Sequence, residues 1–347
     1  MSSAMQSAYG THRVLEPLGV LPQGAWKIDN SMAAGEREIL IDVLALNVDA
    51  ASFTQIKEEA GGDAGRVGEI VADIVARRGK LHNPVTGSGG MLIGRVREIG
   101  PALAGKTELK PGDRIATLVS LSLTPLRIDA IRAIHLDRDQ IEIDGQAILF
   151  ETGLYAVLPD DIPEKMALAI LDVAGAPAQT ARLVKNGDTV VVIGGGGKSG
   201  TLCVYEARKR AGPTGRVIGV SPFESDCARM RELGWVDHAL QVDAGNAVAM
   251  MEAVSAVTDG RMADVTINCV NIPGTEMGSI LATRDGGRIY FFSMATSFTA
   301  AALGAEGVGK DVEMIVGNGY ARGHAELALN LLRESETLRR LFEQRYV

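Results

Sequence analysis

The sequence predicts an α/β chain in which a β-rich first half leads into a doubly wound parallel sheet. Three observations predict it. Short segments set apart by glycine and proline fill the chain up to about residue 160, strand and helix patterns alternate beyond that point, and a glycine-rich turn joins an apolar run to a helix. The 347 residues suit about two domains, and the change of rhythm divides them into 1–160 and 161–347.

In the first half, residues 38–46 (EILIDVLAL) and 91–99 (MLIGRVREI) carry strand patterns, and a Pro-Gly turn at 111–112 runs into a third. Residues 127–136 and 147–158 are further β-rich stretches. One helix interrupts them: Val67, Ile70, Val71, Ile74 and Val75 share a face, and Gly79 follows as a stop. In the second half, strands are expected at 189–193, 216–220, 264–270, 288–292 and 312–316. Helices are expected between them, as at 201–211 and 247–257, and a helical tail runs from 321 to 347. Strand and helix in turn imply right-handed crossovers and a parallel sheet covered on both faces.

Composition removes several classes of function. Hydrophobic residues make up 46% and charged residues 22%, enough apolar material for two cores. No apolar run approaches the roughly 18 residues that a membrane span needs, and residues 1–10 lack the pattern of a signal peptide. The net charge is −8 with no basic cluster, so neither nucleic acid nor membrane is expected as a partner. Cys203, Cys227 and Cys269 lie far apart, which excludes a disulfide framework and a cysteine-rich metal site. A reducing, cytoplasmic setting is expected.

The most informative stretch is VVVIGGGGKSGTLC at 190–203. Gly195, Gly197 and Gly200 satisfy GxGxxG between a buried strand and a helix. Such glycines make the tight turn, let a pyrophosphate approach the backbone, and allow close helix–strand packing. The end of a P-loop is imitated by Gly197, Lys198 and Ser199, but that motif needs a glycine at 192, which is valine. The expected cofactor is NAD or NADP, on a Rossmann sheet. At the end of the second strand, Ser221 is neutral and leaves room for a 2′-phosphate, with Arg229 and Lys198 as cationic partners. Glu224 could instead turn inward and favour NAD, so the choice stays open. Cys269, Val270 and Asn271 are read as a strand end on the nicotinamide side.

The segments GRVREIG (94–100), LKPGDRI (109–115) and LVKNGDTVVVIG (183–194) resemble the medium-chain dehydrogenase/reductase superfamily, whose catalytic domain is GroES-like. Three further segments, YGTHRVLEP (9–17), LNVDAASFTQIKEE (46–59) and NPVTGSGGMLIG (83–94), are similar to the L-erythro-3,5-diaminohexanoate dehydrogenases of lysine fermentation. This resemblance implies oxidative deamination of a diamino acid to 5-amino-3-oxohexanoate and ammonia with a nicotinamide cofactor. The superfamily resemblance implies a homodimer joined through the edges of its Rossmann sheets. The alternatives are a zinc-free quinone or enoyl reductase on the same scaffold and a non-catalytic NADP-binding sensor. By alignment, the superfamily's zinc ligands fall at Asp49, Ser88 and near Ala169. One ligand of three cannot hold a catalytic zinc, so no metal is expected.

Amine oxidation requires a neutral nitrogen before hydride leaves, hence a base, and water must then attack the imine. Asp49, in the superfamily's metal-facing position, is the first candidate for base or amine anchor; its competing role is a helix cap. Ser52, Thr86 and Ser88 are candidates for binding the amine or the water. Glu58 and Glu59 are candidates for the second ammonium, and Arg13 for the substrate carboxylate.

Overall fold

Alternating faces in the first half and continuous apolar strands in the second are what two different kinds of sheet require, and the computed structural model contains both. It describes residues 6–293, 295–317 and 319–346. The chain divides into the units Met1–Asp161 and Ile162–Val347.

The first unit holds β1 (Val14–Glu16), β2 (Lys27–Ile28), β3 (Glu38–Asn47), α1 (Ala50–Glu59), α2 (Ala64–Arg78), β4 (Met91–Ile99), β5 (Arg114–Thr117), β6 (Leu126–His135), β7 (Gln140–Phe150) and β8 (Tyr155–Val157). Six of the strands form an antiparallel sheet in the order β6-β7-β3-β4-β5-β8. Central β3 is buried along most of its length, which accounts for its apolar run. Ile41, Leu46 and Leu92 from the sheet meet Phe53 and Ile56 of α1 and Val67 and Val71 of α2 in one core. The stop at Gly79 has a double cause. Its φ is +74°, and a Cβ there would lie 2.2 Å from the carbonyl oxygen of Ile28. The stretch 147–158 is not continuous: β7 ends at Phe150, a turn closes with Gly153 N–H donating to the Phe150 carbonyl at 2.7 Å, and β8 follows.

The second unit contains α3 (Glu164–Leu171), α4 (Gly175–Leu183), β9 (Thr189–Ile193), α5 (Lys198–Ala211), β10 (Arg216–Ser221), α6 (Glu224–Leu233), β11 (His238–Gln241) and α7 (Ala247–Thr258). It continues with β12 (Ala263–Asn268), α8 (Glu276–Ala282), β13 (Thr283–Phe291), α9 (Phe298–Gly307), β14 (Glu313–Val316), α10 (His324–Glu334) and α11 (Glu336–Tyr346). Its sheet is parallel throughout, in the order β11-β10-β9-β12-β13-β14. Counted within the unit that is 3-2-1-4-5-6, the Rossmann order. Val190 and Val192 of β9 enter a core with Cys203, Val204 and Ala207 of α5, whereas Val191 and Ile193 enter another with Met250 and Val254 of α7. Helices on both faces thus explain a strand with no polar side.

The sequence pattern does not reveal β11, a four-residue edge strand that is nowhere fully buried. The helical tail is two helices, broken at Ser335, whose backbone is extended.

Candidate active site

In the second unit, the strand β9 ends at Ile193 and is followed by Gly194, whose φ of +80° makes the tight turn; the expectation had placed that turn at Gly195. The N–H groups of Gly194 and Gly195 donate to the Val220 carbonyl at 2.8 and 3.1 Å, docking the loop on β10. Side chains are excluded along the loop. A Cβ on Gly200 would lie 1.9 Å from the Gly194 carbonyl oxygen, and one on Gly195 would lie 2.7 Å from Met230 Sδ. Gly197 caps α5, which begins with Lys198 and Ser199. The result is a bare backbone cradle at the start of a 14-residue helix whose first N–H groups lack intrahelical acceptors. That is the fit a dinucleotide pyrophosphate requires. Lys198 is not a free cation: its Nζ donates to Asp172 Oδ2 at 2.6 Å and lies 5.9 Å from the centre of the Tyr346 ring.

Ser221 is the buried last residue of β10, and its Oγ donates to Asp226 Oδ2 at 2.8 Å. Arg229 pairs with the same carboxylate through Oδ1 and donates to the Gly196 carbonyl at 3.2 Å. Glu224 does not turn inward. It is exposed and pairs with Arg231, because the first turn of α6 directs it away from the loop. Asp226 takes the place facing Ser221, and sequence reasoning missed it; an acid one turn into the helix after the second strand was the available signal. Arg345 of α11 also reaches the Gly196 carbonyl, at 3.1 Å, across 149 positions of sequence. The strand β12 stops at Asn268, so Cys269, Val270 and Asn271 lie just past its end rather than in it. They sit where the strand order reverses between β9 and β12, the crevice at which such sheets bind ligands. Asn268 holds that turn, accepting from Val270 N–H at 3.1 Å and donating to Thr275 and Ser279.

In the first unit, Asp49 caps α1, with Oδ1 accepting from Ser52 N–H at 2.9 Å. Its other oxygen, Oδ2, is buried and has no hydrogen-bond partner among the described residues. Ser52 Oγ and Thr86 Oγ1 share a hydrogen bond of 2.5 Å, and Thr86 Oγ1 also accepts from Ser88 N–H at 3.4 Å. Buried Asn83 shapes this loop. Its Oδ1 accepts from the N–H groups of Val85 and Thr86, and its amide donates to Gln55 at 2.8 Å. Asp49, Ser52, Thr86 and Ser88 are therefore brought into one cluster.

Two neighbours of that cluster were not read from the sequence. Asp139, in the β6–β7 turn at φ 53°, accepts from Val48 N–H through its carbonyl at 3.0 Å. Burial raises its carboxyl above the ordinary range; Lys57 opposes the rise, and Asp137 and Asp49 add to it. His82 precedes the Asn83 loop, and its Nδ1 is buried without a partner among the described residues. Burial, with Lys80 and Arg78 adding, lowers its pKa to about 4, so the ring is neutral at pH 7. Strand-turn spacing offered no signal for Asp139, and a lone histidine gives none.

Two expectations, for Arg13 and for Glu58 with Glu59, need correction. Arg13 cannot serve a substrate carboxylate, because it is buried and fully engaged. Its Nε and Nη2 donate to Glu38 at 2.6 and 2.7 Å, and its other donors reach the carbonyls of Ser31 and Ala33. Glu58 and Glu59 lie on the exposed last turn of α1, about 14 Å along the helix from its cap. Glu59 accepts from Gln55 and lines a surface groove with Arg66, Glu69 and Asp73, apart from the Asp49 cluster. Among the described residues, no three histidine, cysteine, aspartate or glutamate side chains are grouped to hold a metal ion, and no helix is long and apolar enough to cross a membrane.

Residues 12–159 match the family model described as the L-erythro-3,5-diaminohexanoate dehydrogenase N-terminal domain. The chain is 60% identical over 339 residues to the L-erythro-3,5-diaminohexanoate dehydrogenase of Acetoanaerobium sticklandii, covering 98% of each chain. It is 58% identical to that of Fusobacterium nucleatum, again over 98% of each. Among solved structures, a mycobacterial protein in complex with NADPH aligns with a TM-score of 0.55 at 17% identity, covering 88% of this chain and 83% of that one. A quinone oxidoreductase of Pseudomonas syringae pv. Tomato aligns with a TM-score of 0.55 at 18% identity, covering 88% and 82%. These two share the fold, a GroES-like unit followed by a Rossmann unit.

Proposed function

Because the chain belongs to the L-erythro-3,5-diaminohexanoate dehydrogenase family, we propose that it oxidises the C3 amine of 3,5-diaminohexanoate to a ketone and releases ammonia. The glycine cradle of the second unit holds a nicotinamide dinucleotide through Gly195, Gly197, Ser199 and Gly200. When bound, that cofactor supplies the hydride acceptor. Everything else falls to the chain's own groups and to water.

The observation that carries this reading is the division of labour within Asp49. Oδ1 is occupied by the helix cap, while Oδ2 is buried and unpartnered. A buried acceptor without a donor is costly unless a ligand supplies one, and an ammonium does. Asp49 Oδ2 takes a proton from the C3 ammonium, leaving the nitrogen lone pair free to expel hydride from C3. The paired hydroxyls of Ser52 and Thr86 orient the amine, then the water that replaces it. The sum is balanced: one water enters, and ammonium, one proton and a hydride leave. Asp139 provides the second carboxylate, for the C5 ammonium. The cytoplasm is the setting this chemistry and three free cysteines suit, and two copies pair along the outer edge of β14.

The variant Asp49→Asn tests the reading, because asparagine is an equally good cap and keeps the Oδ1 acceptor. We expect unchanged thermal melting and a fall in kcat/KM of about 100-fold or more, read from reduced-cofactor absorbance with the diamino acid. Unchanged turnover would remove Asp49 from the mechanism. No reduced cofactor from the unaltered protein with either NAD or NADP would reject the activity itself.

A further inference from the structure

We propose that Asp226 sets the dinucleotide preference, favouring NAD by receiving a ribose hydroxyl while holding Arg229 away from a latent 2′-phosphate site. The inference rests on the dinucleotide reading of the glycine loop and goes beyond it. In sheets of this strand order the adenosine ribose lies over the end of the second strand. A carboxylate there accepts from the 2′-hydroxyl, whereas a free arginine accommodates a 2′-phosphate. Here the strand-end residue, Ser221, is neutral and by itself discriminates nothing.

The carboxylate arrives from elsewhere. Asp226 reaches back from α6 so that Ser221 Oγ donates to its Oδ2 at 2.8 Å, and it presses on the loop itself: a Cβ on Gly196 would lie 2.3 Å from Asp226 Cγ. The negative charge thus stands between the end of β10 and the glycine cradle, and each of its oxygens keeps a lone pair for a further donor. Glu224, the other acid of this turn, is exposed and paired with Arg231, so it does not share the role.

The same carboxylate masks a cationic site. Arg229 is bound to Asp226 Oδ1, and its guanidinium also meets the Gly196 carbonyl at 3.2 Å, where Arg345 arrives from α11 at 3.1 Å. Two guanidinium groups converging on one carbonyl beside the ribose position form an anion-binding pair, and Asp226 neutralises one of them. A 2′-phosphate entering here meets a fixed negative charge and an arginine already occupied. Discrimination of this kind combines an attraction for one ligand with a repulsion of its rival.

Equilibrium titration of NADH and NADPH by cofactor fluorescence, with the whole chain and no substrate, tests this without turnover. The unaltered protein is expected to bind NADH more tightly than NADPH by about tenfold or more. Asp226→Asn keeps the shape and the acceptor for Ser221 but removes the charge. It should tighten NADPH by about tenfold and weaken NADH several-fold. Adding Arg229→Gln to that variant should abolish the gain, a reversal that a merely structural role for Asp226 would not produce. Failure of Asp226→Asn to gain NADPH affinity, or a preference for NADPH in the unaltered protein, would overturn the proposal while leaving dinucleotide binding intact. Binding of neither nucleotide by the unaltered protein would overturn the dinucleotide reading, and this proposal with it.

Discussion

Glu38 is wholly buried, and each of its carboxylate oxygens accepts two hydrogen bonds: Oε1 from Arg13 and His12, Oε2 from Arg13 and Gly35 N–H. Burial alone would raise its pKa. The bonds from Arg13, the Gly35 N–H and His12 outweigh it, and the net result lies below the ordinary 4.5. A folded-state value below the unfolded one gives stability that is complete above about pH 4.5 and lost as pH falls through the folded value. Replacing Glu38 with Gln strands the Arg13 guanidinium in the interior, and we expect a loss of about 3 kcal/mol or more in urea unfolding at pH 7. The gap between variant and parent should narrow below pH 4.5; a variant as stable as its parent at pH 7 would show that the pair contributes nothing. Arg13 also shows why residue roles are hard to read in advance. Its charge and its place in a family-like segment suggested a substrate contact, and only burial revealed a structural partner 25 positions away. Asp49 is the reverse case. One oxygen serves the cap that local sequence announces, and the burial of the other is decided only by the fold.

At the scale of elements, the strand–loop–helix unit β9–α5 was legible because each glycine answers a local demand. Gly200 packs at contact distance on the Gly194 carbonyl, so Gly200→Ala forces the helix away from the strand. We expect that substitution to lower dinucleotide affinity by about tenfold or more and to cost about 1–3 kcal/mol of stability. Fluorescence titration and thermal melting measure both, and wild-type affinity in a folded variant would contradict the close-packing role of this glycine. The amphipathic face of α2 was readable for the same local reason, since Val67, Val71, Ile74 and Val75 all turn to the core. Elements without a local signature escaped: β11 has one leucine in four residues and sits at a sheet edge, where no buried face imposes a pattern. The break between β7 and β8 was missed because both flanking segments are apolar, and the turn depends on the Gly153 N–H finding the Phe150 carbonyl.

At the scale of the molecule, the outer edge of β14 is open among the described residues, and Val316 on it is 40% exposed. An unpaired strand edge is a template for another chain, and this is the edge along which the proposed dimer pairs. Light scattering in solution should give twice the chain mass; a monomer at micromolar concentration would count against the dimer. Sequence alone determined the class of each half, because period and glycine placement are local properties that burial on one or two faces writes directly into the chain. It also determined the cradle, since a backbone that must approach both a helix and a phosphate tolerates no Cβ. Tertiary structure alone decided which charges are free to act. Arg13 found a buried acid and Lys198 an exposed one, Glu58 and Glu59 stayed on an outer turn, and Asp139 and Arg345 came from distant elements to stand beside the two clusters. A charged side chain takes its role from whichever partners and solvent surround it after folding, and contacts between residues 91 or 149 positions apart leave no period in the sequence.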